Sequence, residues 1–171
     1  MANKTLPAST GYFNKQMLEI LKKGEQKNIP YMIGFTSEDM YPFFMYQMAK
    51  QWGVTCRKQN KKLCFGYYFT RQLPGDDKGA WHSSDLWYWF GTLDNSWRPW
   101  ENRDRYLCNE MLEYFMYFIK NGNPNGGYLE EWYPIKTNQK KFLHIGQGNT
   151  KMATVPIFKL LKTTLKNRVN K

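Results

Sequence analysis

The sequence predicts an α/β fold, a partial parallel sheet carrying helices on its faces, and three observations point there. Two near-continuous apolar runs of strand length, residues 29–36 and 63–69, are each followed by a polar loop and a helix-period stretch. A strand covered on both faces gives that unbroken pattern, and strand, loop, helix in alternation is the signature of α/β proteins. The composition supports a packed core: 42% of the residues are hydrophobic and 18% aromatic, too much buriable surface for a disordered chain.

Taken in order, Met17, Leu18, Ile20 and Leu21 precede Gly24, which suits a short helix with a glycine stop. Residues 29–36 form the first strand, with Pro30 near its start, where a missing N–H is tolerated. Thr36-Ser37-Glu38-Asp39-Met40 is a polar loop that leads into a helix over about 41–52, with Phe44, Met48 and Trp52 on one face. Residues 63–69, dense in strand-favouring aromatics, form the second strand and stop at Pro74-Gly75-Asp76-Asp77-Lys78-Gly79. A helical stretch is expected from about Ser83 to Phe90. Leu107, Met111, Tyr114, Phe115 and Phe118 then recur at spacings of three and four, a helix that closes at Asn121-Gly122-Asn123-Pro124. Residues 142–145 read as a short third strand. Ile157, Phe158, Leu161 and Leu165 read as the docking side of a last helix.

The 25 Lys and Arg exceed the 14 Asp and Glu, for a net charge of +11. Arg57, Lys58, Lys61 and Lys62 cluster in a loop; Lys159, Lys162, Lys166, Arg168 and Lys171 lie at the C-terminus. No aromatic RNA-binding motif or Cys/His finger accompanies them, so solvated surface charge is expected rather than nucleic-acid binding. Cys56, Cys64 and Cys108 are three in number with no CxxC spacing, which points to reduced thiols and to neither a disulfide framework nor a metal site. No cofactor motif occurs. No apolar stretch reaches the roughly 18 residues of a membrane span, and the first residues lack a signal-peptide core. The expectation is a soluble chain with no membrane partner, cytoplasmic if its start is genuine; a basic membrane-surface helix is the rival reading of the tail.

Two histidines are present. His144 sits among apolar residues and reads as an incidental strand-end side chain. His82 lies in Gly79-Ala80-Trp81-His82-Ser83-Ser84-Asp85, in the loop beyond a strand C-terminus, where open α/β sheets place catalytic groups. Glu38 and Asp39 occupy the loop after the other strand. If the strands are parallel, a carboxylate and an imidazole project from the same sheet edge, which is the acid and base half of a nucleophile-base-acid triad.

The segment Gly79-Ala80-Trp81-His82-Ser83-Ser84-Asp85-Leu86-Trp87-Tyr88-Trp89-Phe90-Gly91 resembles the histidine segment of the type-B carboxylesterases, the family of cholinesterases and para-nitrobenzyl esterases. The resemblance continues through Arg98-Pro99-Trp100, Gly122-Asn123-Pro124-Asn125-Gly126 and Trp132-Tyr133-Pro134. Residues 29–40 resemble the segment carrying that family's acid, and the likeness spans about residues 24–152. It implies an α/β-hydrolase fold, carboxylic-ester hydrolysis without a cofactor, and His82 as general base. The family's acid segment reads Asp-Glu-Gly with the acid in the middle, which places the acid at Asp39. Here the acid is one methylene shorter, Met40 stands for the usual glycine, and Glu38 is the alternative acid. Asp85 matches an acidic position read as supporting or structural, at the start of a helix. Trp81, beside the base, is the substrate-binding candidate, whereas Trp87, Tyr88 and Trp89 read as core.

The family's nucleophile motif, Gly-x-Ser-x-Gly, does not occur, nor does its glycine-rich oxyanion segment. Pro7-Ala8-Ser9-Thr10-Gly11 is the nearest approach and has no strand before it. Residues 1–171 are therefore expected to form the C-terminal segment of one carboxylesterase domain, inactive alone and partnered by the N-terminal part of the same esterase. The alternative is a non-catalytic esterase-like binding protein or an inactive fragment.

Overall fold

The computed structural model describes residues 15–146 and 148–169; residues 1–14, including the segment 7–11, lie outside it. Strands β1 (Tyr31–Thr36), β2 (Cys64–Phe69), β3 (Lys141–Ile145) and β4 (Lys151–Thr154) form one sheet in the order β1-β2-β3-β4. β1, β2 and β3 are parallel, in the register Tyr31 to Cys64 and Tyr67 to Leu143, while β4 turns back antiparallel to β3. Among the described residues five α-helices accompany it: α1 (Lys15–Lys23), α2 (Pro42–Lys58), α3 (Leu86–Trp89), α4 (Asn102–Asn121) and α5 (Ile157–Val169).

The twofold alternation of the strands sorts their side chains into two cores. Phe65, Phe69, Leu143 and Ile145 point to one face, where Tyr88, Trp89, Leu107, Cys108, Met111 and Tyr114 from α3 and α4 close over them. Phe35, Cys64, Tyr68 and Phe142 point to the other, against Tyr46, Ala49 and Val54 of α2 and Leu160 of α5. The result is a three-layer α/β/α arrangement with β2 buried at its centre, as the unbroken apolar run of that strand requires.

Four details differ from the sequence-based expectation. The buried side of α2 runs through Tyr46, Ala49 and Gly53 rather than Phe44, Met48 and Trp52, and Phe44 is exposed. Small residues decide this: a Cβ at Gly53 would lie 2.6 Å from Ile135, so the Ala49–Gly53 ridge is what allows the close approach. On α5, Leu160 and Thr164 are buried, whereas Phe158 and Leu165 are exposed. The expected helix from Ser83 shrinks to Leu86–Trp89, because Ser83 adopts a left-handed φ of 67° and turns the chain. β4 was not anticipated: four residues, Lys-Met-Ala-Thr, carry no periodicity of their own. Among the described residues, no helix is long and apolar enough to cross a membrane.

Candidate active site

The loops beyond β1 and β2 continue the pairing of their strands. Ser37 N donates to Phe69 O at 2.9 Å and Glu38 N to Ala80 O at 2.9 Å, with Glu38 and Trp81 bridged in parallel. Gly79 permits that bridge: its φ is +71°, and a Cβ there would lie 2.5 Å from Glu38 Cγ. These contacts set Asp39 opposite His82, whose Nδ1 lies 3.2 Å from Oδ1 and 3.1 Å from Oδ2 of the carboxylate. The Asp39 side chain is 4% exposed and that of His82 53%. Met40 N donates to Asp39 Oδ1 at 2.7 Å and Thr36 Oγ1 approaches Oδ2 at 3.5 Å, so the buried carboxylate has partners besides the ring. Asp39, not Glu38, faces the imidazole; Glu38 serves through its backbone.

A carboxylate can only accept, so an ionised Asp39 fixes the His82 proton on Nδ1 and leaves the basic lone pair on Nε2. The pair thus presents an oriented base at an exposed edge of the sheet. Trp81 is partly buried and packs against the core on the α4 face, and its indole N–H meets no acceptor among the described residues. Tyr88 and Trp89 are core. His144, on β3, rests edge-on against Tyr68 at 5.1 Å; burial and then Lys151 lower its pKa, which keeps it neutral.

Three supporting contacts have partners that were not legible in the sequence, although Asp85 itself reads there as a supporting or structural acid. Asp85 makes no helix cap; it accepts from Tyr67 OH at 2.6 Å, tying the histidine segment to β2. Burial raises the Asp85 carboxyl, and the charge of Asp39 raises it further against the opposing Tyr67 hydrogen bond. Arg71, just after β2, forks onto Asp104 at the start of α4, with Nε 2.7 Å from Oδ1 and Nη2 3.0 Å from Oδ2, and Tyr88 OH adds a bond of 2.8 Å. Asn167 Nδ2 of α5 donates to Asp39 O at 3.0 Å and Met40 O at 3.3 Å. Each partner is remote in the chain. Only Asp85, through its match to the family's acidic position, gave any signal.

Among the described residues no cluster of three or more His, Cys, Asp or Glu could hold a metal ion. Parallel strands that end in a carboxylate and an imidazole in contact, with helices on both faces, define the C-terminal part of an α/β-hydrolase fold. Residues 46–160 match the model of the carboxylesterase family, and the chain belongs to that family. Bovine (Bos taurus) carboxylesterase 4A is 30% identical over 84 residues, which covers 46% of this chain and 15% of that protein. Among solved structures, PNB esterase aligns with a TM-score of 0.64 at 13% identity, covering 85% of this chain and 40% of its own. An esterase from anaerobic Clostridium hathewayi that can hydrolyse aliphatic aromatic polyesters aligns with a TM-score of 0.57 at 16% identity, covering 74% and 24%. The chain therefore spans well under half the length of these relatives.

Proposed function

We propose that this chain supplies the acid and base of a serine carboxylesterase, with His82 as general base and Asp39 as the group that orients it. The contact between His82 Nδ1 and the buried Asp39 carboxylate carries the reading. In the complete enzyme a serine hydroxyl from the N-terminal part attacks the carbonyl carbon of an uncharged carboxylic ester as its proton passes to His82 Nε2. Backbone donors from that part hold the oxyanion. The tetrahedral adduct then collapses, the C–O bond to the alcohol breaks, and His82 returns the proton to the departing oxygen. Water, deprotonated by His82, hydrolyses the acyl-enzyme by the same steps in reverse order. Asp39 stabilises the imidazolium formed each time. Trp81 borders the base and lines one side of the substrate pocket.

This chain alone has no Gly-x-Ser-x-Gly nucleophile and should not turn over ester. The partner is the N-terminal part of the same esterase, docked on β1. The test is hydrolysis of a short-chain nitrophenyl ester by the chain alone and when co-expressed with an N-terminal carboxylesterase segment bearing the serine. Activity is expected only in the second case, abolished by His82→Ala and reduced about 10⁴-fold by Asp39→Asn, which cannot hold the same tautomer. Turnover by the chain alone, or reconstituted activity that survives His82→Ala, overturns the proposal.

A further inference from the structure

We propose that the outward face of α5 docks on an anionic lipid bilayer. The two sides of this helix are chemically distinct. Leu160 and Thr164 are buried against the sheet layer, and the helix is locked in that rotation by Thr164 Oγ1, which accepts from Phe43 N at 3.2 Å, and by Asn167 on the loop of Asp39. Phe158 and Leu165 consequently point away, 89% and 58% exposed, with Leu161 partly exposed on the same stripe at spacings of three and four. Lys162 and Lys166 border one side of the stripe and Arg168 the other, all exposed. An apolar stripe flanked by long cationic side chains is the composition of an interfacial helix, whose lysine stems reach the headgroups while the apolar residues enter the acyl boundary.

Charge selects the occupant. After Glu131 the sequence carries nine Lys and Arg and no Asp or Glu, while the preceding chain is nearly balanced, with sixteen basic against fourteen acidic residues. Almost all of the +11 charge thus sits on the portion that ends in α5. A second copy of this face would set these cations against one another, since no acid lies on α5 to pair with them. A nucleic acid would engage the charges and stack a base on Phe158, but it offers nothing to the aliphatic Leu161 and Leu165 of the same stripe. A surface of anionic headgroups over hydrocarbon satisfies both. Leu160 and Thr164, not Phe158 and Leu165, dock the helix to the protein, which leaves the apolar stripe facing outward.

Flotation with lipid vesicles of the chain in its soluble complex with the N-terminal carboxylesterase part tests this, because aggregates stay at the bottom of the gradient. The chain should float with phosphatidylcholine vesicles containing about one quarter phosphatidylserine, and at least about tenfold less with pure phosphatidylcholine. Phe158→Ser/Leu165→Ser, at exposed positions, should lower flotation about tenfold or more with an unchanged far-ultraviolet circular dichroism spectrum. Lys159→Gln/Lys162→Gln/Lys166→Gln should do the same. Equal flotation on both vesicle types, no flotation, or flotation indifferent to the Phe158 and Leu165 changes overturns the proposal. So does a self-association in light scattering that those two changes dissolve, which would assign the face to a second copy. His82→Ala should float as the unmodified chain does, so the outcome is independent of the ester-hydrolase reading.

Discussion

At the scale of single residues, the dyad depends on side chains that never touch the ring. Tyr67 is partly buried, and its hydroxyl is the donor to the buried Asp85 at 2.6 Å. Tyr67→Phe leaves that carboxylate without its partner, so a loss of about 1–3 kcal/mol in unfolding free energy is expected by denaturant titration. Gly79→Ala should also destabilise, by roughly 1–3 kcal/mol, because the new Cβ meets Glu38 where the acid loop is bridged to the histidine loop. In the reconstituted enzyme it should lower kcat more than KM, by shifting Asp39 from His82. The contact of Asp39 with His82 was legible because each lies in a local motif at a strand end, where a handful of neighbouring residues define the position. Their supports were not. Tyr67 and Asp85 are 18 positions apart and Asn167 is 128 from Asp39, and only the folded register brings such pairs together.

At the scale of elements, the sequence read correctly wherever one periodicity decided the outcome. β1 and β2 announced themselves by apolar runs, and α4 by its spacing and its glycine stop at Gly122. It misled on α2 and α5, where two apolar stripes compete and the choice falls to fit: small Ala49 and Gly53 on α2, hydrogen-bonding Thr164 and Asn167 on α5. The join between the end of β2 and α4 rests on the buried Arg71–Asp104 pair, to which Tyr88 ties the histidine segment. Burial alone would raise the Asp104 carboxyl, but the Arg71 and Tyr88 hydrogen bonds outweigh it and hold it below the ordinary range. Between the two values the unfolded chain binds more protons than the native one, so stability rises with pH there. The contribution is complete above the unfolded value of about 3.9 and is lost as pH falls below it. Asp104→Asn should therefore flatten the acid limb of a stability-versus-pH curve. Arg71→Ala should cost about 3–5 kcal/mol by stranding the buried carboxylate, and Arg71→Lys should recover only part, since an ammonium cannot reproduce the fork.

At the scale of the whole molecule, the sheet ends at β1, and among the described residues no strand pairs with that edge. Tyr31 N bonds to Leu63 O and Ser37 N to Phe69 O, so with a period of two the odd-numbered residues face β2. The backbone groups of Met32, Gly34 and Thr36 accordingly face the open edge. β1 is also less buried than β2, with Tyr31, Met32, Ile33 and Gly34 only half covered. On α3 and α4, Leu86, Phe90, Met116 and Ile119 are exposed as well. A strand this apolar, without a charged or proline residue along its length, is a template for another strand. The exposed apolar residues of α3 and α4 add to the drive for association. The chain expressed alone should therefore self-associate, eluting as large species with no single cooperative unfolding transition. Co-expression with the N-terminal carboxylesterase part should return it to a soluble complex. Met32→Pro removes an N–H that faces the open edge while leaving the β1–β2 bonds in place, and it should weaken both the self-association and the rescue. A monomeric chain that unfolds in one cooperative step, or rescue indifferent to Met32→Pro, would show that β1 is not where the rest of the sheet joins.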